Sequence, residues 1–236
     1  MEEIFGIQIG QSEQGFPLGT DSVLLSRFLT VPRSARIADL GAGCGTLGLL
    51  LCGLHPDCAV TGLEVDPQPW GFAQENILRN SLSSRMEVLH ADVRQVRAFL
   101  PAGSFDCVIS NPPYFPAGSG KVSQQHAIAR TELCLNLAQL CDAASWLLPS
   151  GGRFALVHRP ERLCDIIWHM RQCGIEPKRI RFVRHKANAP VCLVLIEGRR
   201  GGKAGLQYDP DFIEFNPDGT ETEAYRAAYQ RTGELL

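Results

Sequence analysis

The feature that most limits how this chain can fold is an alternation of short apolar runs with amphipathic stretches across residues 35–197. Residues 35–40 (ARIADL), 59–64, 86–90, 105–110 (FDCVIS) and 153–158 read as strands. Stretches of helical character at 46–54, 68–80, 93–100, 131–147 and 162–173 follow them in turn. In 131–147, Leu133, Leu137, Leu140, Ala144 and Leu147 form one stripe, and the Pro149–Gly152 turn ends the run. Such alternation predicts an α/β fold whose parallel sheet is covered by helices on both faces. Runs at 179–186 and 191–197 have no helix between them and are expected to be antiparallel neighbours. The expectation is therefore a mostly parallel sheet of about seven strands with the last one antiparallel.

Two flanks lie outside this core. Residues 1–34 contain GFPLGTDSVLLSRFL, a glycine-rich loop feeding a helix that Asp21 is expected to cap. Residues 201–236 begin with a Gly-Gly turn and end in a short helix, for which Thr220-x-x-Glu223 has the form of a capping box. The chain thus divides into an N-terminal extension (1–34), a main domain (35–200) and a C-terminal tail (201–236).

Composition narrows the setting. A chain of 236 residues with 44% hydrophobic and 20% charged residues buries a core without disulfide or metal help. The nine cysteines include no C-x-x-C pair and the six histidines are scattered, so no zinc cluster is legible and no metal is expected. No signal peptide is apparent, and no apolar run approaches the roughly 18 residues of a membrane span. These features imply a cytoplasmic protein with reduced thiols and no membrane partner; nothing calls for more than a monomer. The net charge of -2 conceals an uneven distribution. Residues 153–203 carry twelve Lys/Arg against four Asp/Glu, whereas residues 204–236 hold two bases and seven acids. A basic block of this kind either binds a polyanion or forms solvated faces.

The chemistry starts after the first strand, at Asp39-Leu40-Gly41-Ala42-Gly43-Cys44-Gly45. A parallel sheet places its ligand at such a strand-to-helix turn. Glycines there bring the backbone close to the ligand and present helix N-terminal amides to it. Gly43 to Gly48 is also a literal G-x-G-x-x-G, so the loop alone fits either a nicotinamide dinucleotide or S-adenosylmethionine. Glu64, closing the second strand, is placed to hold ribose hydroxyls in both cases. Asp92, after the third strand, suits the adenine amino group of S-adenosylmethionine, or caps the next helix.

The fourth strand ends in Ser110-Asn111-Pro112-Pro113-Tyr114. Prolines remove N–H donors and stiffen the chain, which leaves carbonyls fixed and free of backbone pairing. Such a segment suits the binding of an –NH₂ group. The Asn111 side-chain oxygen and the Pro112 carbonyl are placed to accept both amino hydrogens and aim the nitrogen lone pair at an electrophile. Tyr114 offers a flat face for a planar substrate.

With DLGAGCG and SNPPY together, the chain resembles the amino-group methyltransferases of the Rossmann-like, S-adenosylmethionine-dependent superfamily. Within it, the chain is similar to the bacterial tRNA(Val) adenine-N6-methyltransferases. The similarity extends through GTDSVLL, Arg130-Thr131-Glu132, LLPSGGRFALVHRPERL and LIEGRRGG, although the family commonly has histidine where this chain has Thr131. The resemblance implies methyl transfer from S-adenosylmethionine to the adenine immediately 3′ of the anticodon, leaving S-adenosylhomocysteine. It implies that Gly41, Ala42, Gly43 and Gly45 border the cofactor, with Asp39 bracing the loop. Glu64 and Val65 would flank the ribose, Asp92 and Val93 the adenine, and Thr20 and Asp21 would close over the methionine end. Asn111, Pro112, Pro113 and Tyr114 would present the base, with Asn111 also touching the cofactor.

Other functions fit less of the sequence. Glutamine-N5 methylation of release factors uses the same NPPY chemistry, but those enzymes carry a sizeable helical domain ahead of the glycine loop, and only 38 residues precede Asp39 here. Methylation of some other RNA or DNA amino group stays open. A nicotinamide oxidoreductase leaves NPPY unexplained, and a binding module that merely holds the cofactor has no positive feature. For RNA contact, Arg199, Arg200 and Lys203 in their glycine-rich turn are the expected docking cluster, with Lys121 and Arg130 beside the catalytic loop.

Overall fold

A computed structural model describes residues 2–10, 18–112 and 135–230. Pro113, Tyr114, Lys121, Arg130, Thr131 and Glu132 lie outside the described residues. The central sheet contains β3 (Arg36–Leu40), β4 (Ala59–Glu64), β5 (Met86–His90), β6 (Cys107–Ser110), β7 (Arg153–His158), β8 (Ile175–Arg184) and β9 (Val191–Arg200). These are the seven strands expected. Two short strands from the C-terminal segment, β10 (Gln207–Tyr208) and β11 (Phe212–Ile213), pair with the outer side of β8 and raise the count to nine. The order is β10-β8-β9-β7-β6-β3-β4-β5, with all neighbours parallel except β9, which runs antiparallel to β7 and β8. The chain moves outward from β3 in one direction through β4 and β5, and in the other through β6 and β7. Between β3 and β6 the winding reverses, and a crevice opens outside their C-terminal ends.

Helices cover both faces. The first hydrophobic layer lies under α1 (Thr20–Phe28), α2 (Thr46–Leu54) and α3 (Pro67–Arg79), the second under α4 (Val96–Phe99), α5 (Leu137–Leu147) and α6 (Leu163–Gln172). Helix α2 is buried nearly all round because it sits between the sheet and an N-terminal hairpin, β1 (Glu2–Ile4) and β2 (Ile7–Ile9). Trimming Leu49 or Leu50 there to alanine should cost about 2–5 kcal/mol.

Several expected boundaries move, each for a local reason. Helix α5 starts at Leu137 rather than 131 because Asn136 and Gln139 form a reciprocal capping box. Gly19, not Asp21, is the N-cap of α1; Asp21 lies in the first turn, where its carboxylate accepts the Ser22 amide at 2.7 Å. The final helix, α7 (Glu223–Ala228), is capped by Thr222, whereas Thr220 belongs to a turn with Asp218. Strand β8 begins four residues early, at Ile175, and absorbs Pro177 at a register shift.

Candidate active site

The crevice is built by strand ends locked together. Buried Ser110, the last residue of β6, donates its hydroxyl to the Leu40 carbonyl at the end of β3, at 2.7 Å. The glycine loop leaves β3 here, and the Gly41 and Ala42 amides both bond the Leu63 carbonyl at 3.0 and 2.9 Å. Gly41 and Gly43 have positive φ, and a Cβ built on either would meet nothing within 4 Å, so both line open space. Gly45 differs: a Cβ there would lie 3.0 Å from Met86 Cε and 3.4 Å from Ala73 Cβ. It is a packing glycine under α3 as well as the N-cap of α2. Ala42 is buried against Gly62, where a Cβ would come within 2.8 Å.

Glu64 holds the loop from the neighbouring strand. One carboxylate oxygen accepts the Gly43 amide at 2.8 Å and the other the Asp66 amide at 2.7 Å. Burial pushes its pKa up, and the amides of Asp66 and Gly43 counter part of that rise. Asp39 does not brace the loop by hydrogen bonding: it is fully buried and neither carboxylate oxygen has a partner in normal geometry among the described residues. Desolvation raises its pKa to about 7, the Gly48 amide offsets only part of this, and nearby Glu64 adds to it. Asp92 caps a 3₁₀ turn over Val93–Gln95, accepting the Arg94 amide at 2.8 Å, while the Arg94 guanidinium grips both its oxygens. That guanidinium holds the Asp92 carboxyl below its usual range. Val65 is exposed at the mouth, whereas the Val93 side chain is buried in the second layer.

Asn111 and Pro112 follow β6, next to the end of β3. The Asn111 side-chain nitrogen donates to Ser22 Oγ on α1 at 3.0 Å. This bond fixes the amide plane, and with it the direction of the carbonyl oxygen. Thr20, on the same helix, has its hydroxyl 3.0 Å from the Tyr229 hydroxyl and 3.4 Å from that of Tyr225. The tail therefore holds the start of α1, assisted by Arg27, which donates to the Ala228 carbonyl at 2.9 Å.

Three contributors escaped sequence reasoning: Ser22, Asn76 and the Tyr225–Tyr229 pair. Buried Asn76 on α3 bonds Gly10 through both its amide atoms and also the Cys44 carbonyl at 3.1 Å, tying the glycine loop to the N-terminal segment. Each acts over a sequence separation of 32 residues or more, where periodicity carries no signal. The expected RNA cluster is displaced. Arg199 and Arg200 pair across from the start of β7 and β8, on the sheet edge opposite Asn111, and their guanidiniums donate to the Gly151 and Leu148 carbonyls.

Comparison with known proteins now adds a family. The family described as methyltransferase small domain matches residues 12–167. The chain belongs to this family. A tRNA1(Val) (adenine(37)-N6)-methyltransferase of Vibrio vulnificus is 30% identical over 80% of this chain and 78% of its own. A crystal structure from Agrobacterium tumefaciens, described as a predicted O-methyltransferase, superposes with a TM-score of 0.73 at 25% identity, covering 92% of this chain and all of that one. A geranyl diphosphate C-methyltransferase of Streptomyces coelicolor, solved with S-adenosyl-L-homocysteine, shares the fold at 11% identity and a TM-score of 0.56, over 81% and 90% of the two chains. The protein is thus an S-adenosylmethionine-dependent methyltransferase with a Rossmann-like fold. In this methyltransferase no described helix is long and apolar enough to cross a membrane.

Proposed function

We propose that this methyltransferase acts on the exocyclic N6 of an adenine in tRNA, the adenine 3′ of the anticodon of tRNA(Val). One observation carries the reading: Asn111 follows the C-terminal end of β6, the strand paired with β3 whose end feeds the glycine loop, and its amide is bonded to Ser22. The relatives named as tRNA1(Val) adenine methyltransferases supply the choice of RNA. The cradle fits the cofactor, since Gly41 and Gly43 border open space that a side chain would fill. Glu64 spends one lone pair on each of two amides and retains others for ribose hydroxyls. S-adenosylmethionine, when bound, supplies the electrophilic methyl group.

The protein's part is positioning. The target base leaves its stack, as chemistry on a base requires. The Asn111 carbonyl oxygen and the Pro112 carbonyl accept the two amine hydrogens and turn the nitrogen lone pair toward the cradle. Tyr114 is the stacking surface that the sequence provides. Orientation of this kind accounts for much of the rate of an in-line transfer. A strong base is unnecessary, because the methylated amine is acidic enough to lose its proton to water.

The test is methylation of tRNA from cells lacking the modification, with peptide release factor and DNA as parallel substrates. Digestion and mass spectrometry should find N6-methyladenosine in the tRNA alone. Methyl transfer to a release-factor glutamine, with none to tRNA, would overturn the proposal. Calorimetry should show binding of S-adenosylhomocysteine and none of NADH.

A further inference from the structure

The C-terminal edge of the sheet carries a second cluster of chemically versatile side chains, well away from the glycine cradle. His185 follows β8, Cys192 lies in β9 and Glu214 follows β11. One ligand atom from each, an imidazole nitrogen, the thiol sulfur and a carboxylate oxygen, lies within 4.8 Å of the other two. His185 Nδ1 is already in contact with Glu214 Oε2. Glu214 is buried, and this exposed imidazole is the only side-chain partner of its carboxylate among the described residues.

Cys192 reaches the cluster through an irregularity in the sheet. Val183 pairs with Leu193 and Arg184 with Val191, which leaves Cys192 as the extra residue of a β-bulge. In a regular strand Cys192 and Leu193 would point to opposite faces, yet both pack toward the first hydrophobic layer. The bulge thus turns the thiol to the side where His185 and Glu214 meet, leaving it 3.3 Å from the Val183 carbonyl.

We propose that His185, Cys192 and Glu214 form a binding site for Zn²⁺. The ligand set is borderline in softness, one nitrogen, one sulfur and one oxygen, whereas Mg²⁺ and Ca²⁺ favour oxygen throughout. Zinc bonds of roughly 2.0–2.3 Å set tetrahedral donors about 3.3–3.8 Å apart, so side-chain adjustments of about 1 Å close the site. On binding, the Cys192 thiol releases its proton to solvent and its sulfur lone pair forms the metal bond, while His185 coordinates as neutral imidazole. A thiolate and a carboxylate then neutralise the dication, which suits a partly buried position. The fourth position faces solvent beside exposed His185 and takes water. Strands β9 and β7 separate β8 from β6, which is about 14 Å at the usual strand spacing, so the ion stands apart from Asn111. It joins the β8–β9 hairpin to the segment leading into α7.

The test is cobalt titration of the full, tag-free chain after chelator treatment. About one cobalt per chain should bind, with the near-ultraviolet charge-transfer band of a cobalt–thiolate bond and the visible bands of four-coordinate Co²⁺. Cys192→Ser should abolish the charge-transfer band, and Cys164→Ser, at an exposed cysteine, should leave it unchanged. His185→Gln and Glu214→Gln should each weaken cobalt binding by about tenfold or more. Zinc at about a hundred times its dissociation constant should raise the thermal midpoint by roughly 5–10 °C. Absence of a thiolate band at millimolar cobalt, or a band that survives Cys192→Ser, overturns the proposal. If Cys192→Ser fails to fold, loss of cobalt binding in Glu214→Gln supports the site and full retention refutes it.

Discussion

The two wings of the sheet treat their carboxylates differently. Around the β3–β6 crevice, buried Asp39 has no hydrogen bond of normal geometry among the described residues, Glu64 is partly desolvated, and Gly41 and Gly43 face open space. Around β8 and β9 the charges are paired. Glu197 takes Arg153 at 3.0 Å and the Thr30 amide at 2.7 Å, Arg179 and Arg181 share Asp209, and Arg184 takes Asp211 at 2.7 Å. Asp209 and Asp211 of the acidic C-terminal segment are thus counterions of Arg179, Arg181 and Arg184, so the charge count of the basic block overstates its free positive surface. One wing holds the fold; the other keeps groups poised for a ligand.

Substitutions should separate these wings. The largest effect is expected from Glu197→Ala, which leaves Arg153 and the Thr30 amide without their partner. Denaturant unfolding should report a loss of about 3–5 kcal/mol, with methyl transfer per folded molecule unchanged. A comparable loss of activity without loss of stability would contradict the division.

Asp39 tests the opposite wing through pH. Its pKa of about 7, against 3.8 when solvated, means that the folded state keeps a proton the unfolded chain has already lost. Stability should therefore fall as pH rises through that window and level off above it. Asp39→Asn should remove this dependence, a difference of up to ~4 kcal/mol between pH 4 and pH 8. Parallel stability profiles for parent and variant would show that Asp39 is solvated after all.

Next comes Asn111→Ala, which removes an acceptor for the target amine. Methyl transfer should fall by about 10²-fold or more with cofactor affinity nearly constant. Ser22→Ala is the milder version. It removes the Ser22 hydrogen bond to the Asn111 amide, so turnover should drop by about tenfold and stability by about 1 kcal/mol. Unchanged turnover would mean that Asn111 needs no outside support.

How far the sequence discloses this molecule follows the same division. Strands β4, β5 and β7 and helix α2 begin and end where the apolar patterning places them. The N-terminal hairpin carries no clear sequence signal although Ile4, Ile7 and Ile9 are buried. Its turn uses Phe5 at φ 56°, and a bulky residue in that region gives no turn signal. In the site, the glycines, Glu64, Asp92 and Asn111 stand out because their chemistry is tied to strand ends. Ser22 and Asn76 do not, since each acts on an element distant in the chain. Arg179 and Arg181 share one face of β8 as strand alternation requires, but nothing local reveals that Asp209 joins them there.

The smallest effect is expected from reversing Arg199 and Arg200 to Glu. Both lie on the edge opposite the crevice, so tRNA affinity and its salt dependence should change little. Reversing Arg159, exposed just beyond the end of β7 on the catalytic edge, should weaken binding and flatten the salt slope. The reverse ranking, measured by filter binding over a salt series, would return the RNA to the Arg199 edge.

The hydroxyls of Thr20 and Tyr229 touch across 209 residues of chain. During synthesis α1 therefore leaves the ribosome long before the side chains that fasten it exist. The crevice wall that it carries, with Ser22 against Asn111, is finished only once residue 229 has been added and has packed. Long-range closure of this kind is slow relative to local helix formation. The nascent chain thus carries α1 with its catalytic wall unfastened until residue 229 has been made, and competence waits on that distant segment.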